Sequence, residues 1–196
     1  MTGPIKAFGN DKVTFKENKM KKSIKKGDLS AYIRDIPDFP KKGIIFKDIT
    51  TLLNNDKAFK KAIDLLVKEF KAKKIDQVIG IESRGFIFGS VLAYKLGAWF
   101  VPVRKKGKLP YKTRSVTYSL EYGTDTLEIH KDAVSSKDRV LIVDDLLATG
   151  GTVAAVVRLV KNLKAKIVGT AFLVELTFLD GRKKFKGLPI YSLIKY

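Results

Sequence analysis

Residues 140–152 read VLIVDDLLATGGT. Four apolar residues in a row after Arg139 predict a strand over 139–144 that is buried on both faces. Two carboxylates, Asp144 and Asp145, stand where that strand leaves the sheet, and a loop of small residues then opens a helix expected over 152–163. Ligands of open α/β sheets bind outside the carboxyl ends of the strands, so these aspartates lie where chemistry is expected. Ala148, Thr149, Gly150, Gly151 and Thr152 supply backbone N–H groups, two glycines that permit close approach, two hydroxyls and the positive end of a helix dipole. Those are the requirements of a phosphate cradle, although neither GxxxxGK[ST] nor GxGxxG is present. An ionised carboxylate only accepts hydrogen bonds and a vicinal diol offers two donors, so the combined site asks for a ribose 5-phosphate. The plainer alternative is a tight Thr-Gly-Gly turn with Asp145 capping the helix.

Working outward, apolar runs alternate with amphipathic segments. Residues 35–42 are turn-rich, with Pro37 and Pro40. Asn55 and Asp56 offer N-caps, and Phe59, Ile63, Leu66, Val67 and Phe70 at helical spacing predict a helix over 56–71. Strands are expected over 77–81, 98–103, 167–176 and 188–193, with a helix over 85–96. The pattern loosens over 104–126 into a long excursion before strand-like texture resumes at 126–130. The strand and helix order predicts an α/β fold, a doubly wound parallel sheet covered on both faces.

Of 196 residues, 39 are Lys or Arg and 20 are Asp or Glu, a formal charge of +19. The length and the 45% hydrophobic content fit one domain with a core and exclude wholesale disorder. Residues 1–28 hold eight lysines against three acids with little periodicity, and are expected to form a basic extension to a domain at 29–196, with Met20 a candidate alternative start. No apolar run is long enough for a membrane helix and no signal-peptide core is present, so a soluble cytoplasmic protein is expected. With no cysteine and one histidine, His130, thiolate chemistry and Cys- or His-based metal clusters are excluded. His130 is expected on a solvent-facing strand position, and Trp99 in the core or an interface. The charge leaves nucleic acid or a small polyanion as partner classes.

The 140–152 stretch resembles the phosphoribosyl diphosphate motif of the type I phosphoribosyltransferases. DIPDFPKKGIIFKDIT (35–50), GIESRGFIFG (80–89), VRKKGKLP (103–110) and YSLEYGTDTLEIHKDA (118–133) are similar to the adenine-specific family among them, from about residue 29 to the C-terminus. The resemblance implies a small N-terminal hood, a flexible catalytic loop, a homodimer, Mg2+, and transfer of the phosphoribosyl group from 5-phosphoribosyl 1-diphosphate to adenine, giving AMP and diphosphate in purine salvage.

Residues 82–85 lie between a predicted strand and helix, where backbone amides form an anion nest. The resemblance assigns Glu82, Ser83 and Arg84 to the diphosphate, with a cis peptide at Glu82–Ser83, and adds Arg104, Lys105 and Lys108, with the neighbouring subunit of a dimer as an alternative source of one of them. Cations there stabilise a leaving group that gains charge as its bond breaks, and no acid lies between Val101 and Leu120 to neutralise them. Glu121 is the candidate general acid/base, with Tyr122 beside it in a loop able to close over the substrates. Adenine is expected against Ile45, whose backbone would read the base edge, Phe46, Leu147 and Arg84. Without the resemblance, the lysines read as a solvated loop, Glu121 as a surface residue and the 44–46 run as core. Two competitors stand beside this function. Transfer to hypoxanthine, guanine or xanthine is opposed by the GIIF and SLEYG segments. A nucleic-acid-binding regulator on the same fold would need a recognition domain for which residues 1–28 are too short and irregular. Nucleic acid is therefore not expected as the main partner, nor is a membrane.

Overall fold

The computed structural model describes residues 26–119 and 123–196. A 3-10 segment, Lys26–Tyr32, leads into the hairpin β1 (Arg34–Pro37) and β2 (Ile45–Asp48), then α1 (Thr50–Leu53) and α2 (Asp56–Phe70). After these come β3 (Gln77–Ile81), α3 (Gly85–Leu96), β4 (Trp99–Lys105), β5 (Thr113–Ser119) and β6 (Thr124–His130). The chain ends with β7 (Arg139–Leu147), α4 (Gly151–Asn162), β8 (Lys166–Glu175), two 3-10 turns and β9 (Ile190–Lys195).

Seven strands form one sheet in the order β5-β6-β4-β3-β7-β8-β9. The stretch from β4 to β9 is parallel, and β6 and β5 join antiparallel at the β4 edge. The apolar run in β7 explains its central place, because successive side chains point to opposite faces and both faces are covered. Leu141 and Val143 pack with Leu66, Phe70 and Phe88 under the first helices, whereas Val140 and Ile142 pack with Val156 and Phe172 under α4. Each fully buried side chain of this kind contributes roughly 1.5–3 kcal/mol. The amphipathic face expected of α2 is the one buried, at Ala58, Ala62, Ile63, Leu66 and Phe70, and Asn55 caps the helix by accepting from the Ala58 N–H at 2.9 Å. Among the described residues no helix is long and apolar enough to cross a membrane.

The excursion expected over 104–126 is instead mostly sheet. β4 runs on to Lys105, and β5 and β6 pair from Thr113↔His130 to Ser119↔Thr124. A half-solvated antiparallel hairpin carries polar residues on its outer face, here Thr117 and Thr126 with hydroxyls 2.9 Å apart, so its alternation is diluted and reads as loop. β7 likewise continues to Leu147, past the expected end at Asp144, because its far end stays paired with β8. Trp99 is 76% exposed and so is not core. His130 is half-buried rather than solvent-facing, with its ring 6.2 Å from that of Tyr111 and its Nε2 buried without an aligned partner among the described residues.

The β1–β2 hairpin stands apart from the main sheet, as a hood would. Asp48 pins its base: Oδ1 accepts from the Thr50 N–H at 2.9 Å and Oδ2 from Arg34 at 2.6 Å. These bonds, led by the Thr50 amide, lower its pKa to about 2. Its contribution to stability is therefore complete above the ordinary 3.8 and is lost as pH falls through about 2.

Candidate functional site

Both aspartates occupy the last turns of β7, and the alternation of the strand separates their surroundings. Asp145 is 4% exposed, whereas Asp144 is half-buried with Oδ1 accepting from the Asp145 N–H at 2.9 Å. Burial, then the neighbouring Asp145 charge, pushes the Asp144 carboxyl well above the usual range; burial also raises Asp145, against the pull of Arg84. Arg84 Nε lies 2.9 Å from Asp145 Oδ2, but off the hydrogen-bonding direction, and no aligned donor reaches this oxygen among the described residues. A buried carboxylate oxygen with unsatisfied lone pairs is suited to accept from a ligand hydroxyl.

The phosphate-loop expectation meets a cavity of about 450 Å³ lined by both aspartates and by residues 148–152. Gly150, at φ 76°, turns the chain into α4, so the first amides of that helix have no intrahelical acceptor and stand at the cavity wall. Asp145 does not cap α4; Gly150 holds that position without a side chain. Glu82, Ser83 and Arg84 line the same cavity, with the Glu82–Ser83 peptide cis as the resemblance implied. Gly85 begins α3 so near β7 that a Cβ there would lie 2.8 Å from the Val143 carbonyl oxygen and 2.9 Å from Asp144 Oδ1.

The three cations expected at the diphosphate have different surroundings. Lys105 lines the cavity and pairs with Asp125 at 3.3 Å. Arg104 donates to Glu82 Oε1 and to the Lys108 carbonyl, both at 3.1 Å, and Lys108 is exposed on the turn. Glu82 accepts from the Lys105 N–H as well, at 2.9 Å. Its pKa is lowered although burial opposes this, because the Arg104 and Lys105 bonds outweigh the burial. Glu82 thus holds the cationic turn in place. The acids absent from 101–120 arrive from elsewhere: Glu82 from just past β3, and Asp125 and Glu128 from β6, Glu128 accepting from the Gly107 N–H at 3.0 Å.

A second cavity, of about 750 Å³ and mostly apolar, is lined by Ile44, Ile45, Phe46, Leu146, Leu176 and Leu179, and shares residues 146, 148, 149, 151 and 152 with the first. Ile44 and Ile45 are 43% and 56% exposed, so the run is not core. Arg84 lies over the Phe46 ring at 5.3 Å. Leu147, expected against the base, is fully buried in the hydrophobic cluster on the α4 side; it is Leu146, one step earlier in the alternation, that lines the apolar cavity. Sequence reasoning also missed Tyr118, whose hydroxyl accepts from Thr152 Oγ1 at 3.4 Å, and Leu176, Leu179 and Lys184 beyond β8. The rule that placed Asp144 at a strand's carboxyl end applies equally to β8 and is the signal that could have found the last three. Glu121 and Tyr122 lie outside the described residues.

The chain matches the model of a phosphoribosyl transferase domain over residues 48–188. It is 60% identical over 169 residues to an adenine phosphoribosyltransferase of Trichlorobacter lovleyi, covering 86% of this chain and 99% of that one. The crystal structure of adenine phosphoribosyltransferase from Thermoanaerobacter pseudethanolicus is 57% identical over 88% of this chain and 100% of that chain, with a TM-score of 0.85. The Saccharomyces cerevisiae enzyme, solved with an imino-altritol bisphosphate and adenine, is 42% identical over 86% of this chain and 97% of that one, with a TM-score of 0.82. On a type I phosphoribosyltransferase fold with these relatives, the chain belongs to the adenine phosphoribosyltransferase family.

Proposed function

We propose that the protein transfers the 5-phosphoribosyl group of 5-phosphoribosyl 1-diphosphate to adenine, giving AMP and diphosphate, as a cytoplasmic homodimer. The observation that carries this reading is the junction of the two cavities: a polar one with paired carboxylates and an apolar one under the hood meet at Leu146, Ala148, Thr149, Gly151 and Thr152. A ribose 5-phosphate seated on that loop would send its diphosphate toward Ser83, Arg84 and Lys105 and receive a base from beside Phe46 and Leu146.

Selection of adenine is supported at Ile45. Its partner in the hairpin is Pro37, which has no N–H, so Pro37 donates nothing to the Ile45 carbonyl. A carbonyl acceptor favours a base whose edge donates through an amino group and opposes a 6-oxo purine, which would present oxygen to oxygen.

In the reaction the C1–O bond to diphosphate breaks and the C1–N9 bond forms, through a cationic sugar comparable to that of glycoside chemistry. Asp144 and Asp145 orient the ribose hydroxyls, the amides of 149–152 hold the 5-phosphate, and Lys105 with the amides of 83–84 meets the charge developing on diphosphate. Glu121 takes the N9 proton. Among the described residues no cluster of three acids or histidines could hold a metal. Mg2+ would be held mainly by diphosphate oxygens and water, and would supply charge neutralisation on the leaving group. The exposed aromatics Tyr94 and Trp99 around the Gly97 turn offer a surface for a second copy.

A steady-state panel of adenine, hypoxanthine, guanine and xanthine with phosphoribosyl diphosphate tests the reading. AMP should form from adenine and stop on chelation of Mg2+; preferred turnover of a 6-oxo purine would overturn the base assignment. Glu121→Ala should lower kcat by about 10²–10⁴-fold with KM for adenine little changed. An unaltered kcat would remove Glu121 from the mechanism.

A further inference from the structure

Lys184 belongs to the 3-10 segment Gly181–Phe185, which lies against the phosphate loop. The contact is backbone to backbone. A Cβ on Gly181 would strike the Ala148 carbonyl oxygen, and one on Gly150 would strike the Gly181 carbonyl oxygen. The segment is anchored from below by a buried ion pair: Glu175, 2% exposed at the end of β8, accepts from Arg182 Nε and, at 2.6 Å, from its terminal nitrogen. Burial would raise the Glu175 carboxyl, but the bonds from Arg182 and Ser192 prevail and hold it low. A bidentate pair fixes the orientation of both groups, so the segment has one register against the loop.

The two lysines that follow Arg182 have different fates. Lys183 turns outward and pairs with Asp180 at 2.6 Å. Lys184, a third of a 3-10 turn further on, has no carboxylate partner among the described residues and lines the apolar cavity. Its Nζ is 3.9 Å from where a Cβ on Gly151 would lie, beside the first amides of α4. A third hollow, of about 400 Å³, is lined by Lys184 together with Gly151, Ser119 and Arg158. An unpaired cation held at the mouth of a loop already bearing free amides and hydroxyls adds to the same electrostatic target.

We infer that Lys184 binds the 5-phosphate of the phosphoribosyl group, with Glu175 and Arg182 as the residues that position it; this deepens the phosphoribosyl-transfer reading above and rests on it. The dianionic phosphate then meets the ammonium together with the amides beside it. Lys184 therefore distinguishes ligands that carry the phosphate from the free base that does not.

Calorimetric titration of the full-length protein with ribose 5-phosphate, AMP and adenine, in wild type, Lys184→Gln, Lys184→Arg and Lys183→Gln, tests this. Loss of a charge-assisted contact should weaken ribose 5-phosphate and AMP about tenfold or more in Lys184→Gln. Adenine should be unaffected, Lys184→Arg should restore most of the affinity, and Lys183→Gln should behave as wild type. Equal affinity for ribose 5-phosphate in wild type and Lys184→Gln overturns the inference, as does a parallel loss of adenine binding, which would signal distortion of the site. A wild-type protein that binds ribose 5-phosphate but not adenine overturns the adenine assignment instead, and the ribose 5-phosphate comparison still decides Lys184.

Discussion

Asp144→Asn should yield a protein that melts higher than the wild type and turns over far more slowly. In the free protein this carboxyl is pushed well above its ordinary range by burial and by the charge of Asp145, so ionising it at neutral pH costs stability. Asparagine is nearly isosteric, removes that charge and keeps an Oδ1 to accept from the Asp145 N–H, now at 2.9 Å. Asp145 retains its Arg84 neighbour. Each kcal/mol recovered raises Tm by about 2–4 °C at this chain length. The same change replaces an acceptor-only group with one that offers N–H donors to a ribose hydroxyl. Losing one or two charge-assisted bonds of about 1.5–3 kcal/mol should lower kcat/KM for phosphoribosyl diphosphate on the order of 10²-fold. A lower Tm together with unchanged kcat/KM would contradict both halves of the argument.

The pH dependence follows with a definite sign. Because the folded pKa of Asp144 is raised, the native state holds a proton that the unfolded chain releases above about 3.8. The destabilising contribution is absent below that value, grows as pH rises, and is complete only above the elevated folded pKa. The hood residue Asp48 acts in the opposite sense, supplying stability that disappears only in strong acid. Binding of a ribose diol requires the ionised aspartates, so ligand binding should release protons at pH values where an isolated aspartate is already ionised.

Much of the fold was legible because the central strand carries its own evidence. The run in 140–143 can be satisfied only by burial on both faces, and Leu141 and Val143 on one side with Val140 and Ile142 on the other meet that demand. The helix at α2 was equally legible, since one stripe of Ile63, Leu66 and Phe70 repeats at helical spacing. Of the β5–β6 hairpin only 126–130 was, because the remaining residues face water on one side and follow a run of cations. At the site, the loop 148–152 announced itself through small residues and hydroxyls in unbroken order. What periodicity could not supply was which neighbours meet it. Glu82, just past β3, and Asp125 and Glu128, both on β6, reach the cationic turn from distant parts of the chain, and the choice between Leu146 and Leu147 depends on where β7 ends, which the pairing with β8 decides. Long-range pairing also brings Gly181 against Gly150 across about thirty residues of chain, a separation at which no local pattern operates.

That glycine contact carries the other large effect. Gly150→Ala meets two obstacles at once. Its φ of 76° is in the left-handed region, where a Cβ costs roughly 1–2 kcal/mol, and the added methyl would run into the Gly181 carbonyl oxygen. The obstacle is backbone held by the Glu175–Arg182 pair, so it cannot swing aside as a side chain would. Gly187→Ala separates the two causes: φ there is 85°, and nothing lies within 4 Å of the new methyl. Both variants should lose stability through strain, but only Gly150→Ala should move the phosphate loop. A displacement of about 1 Å in a positioning element is enough to cost on the order of 10²-fold in kcat/KM, here read on phosphoribosyl diphosphate. The adenine affinity of Gly150→Ala, measured without the second substrate, should change far less, because Ile45, Phe46 and Leu146 stay in place. If Gly187→Ala lowered kcat/KM as much as Gly150→Ala did, strain alone would account for the loss, and the backbone contact between Gly150 and Gly181 would have no part in holding the loop.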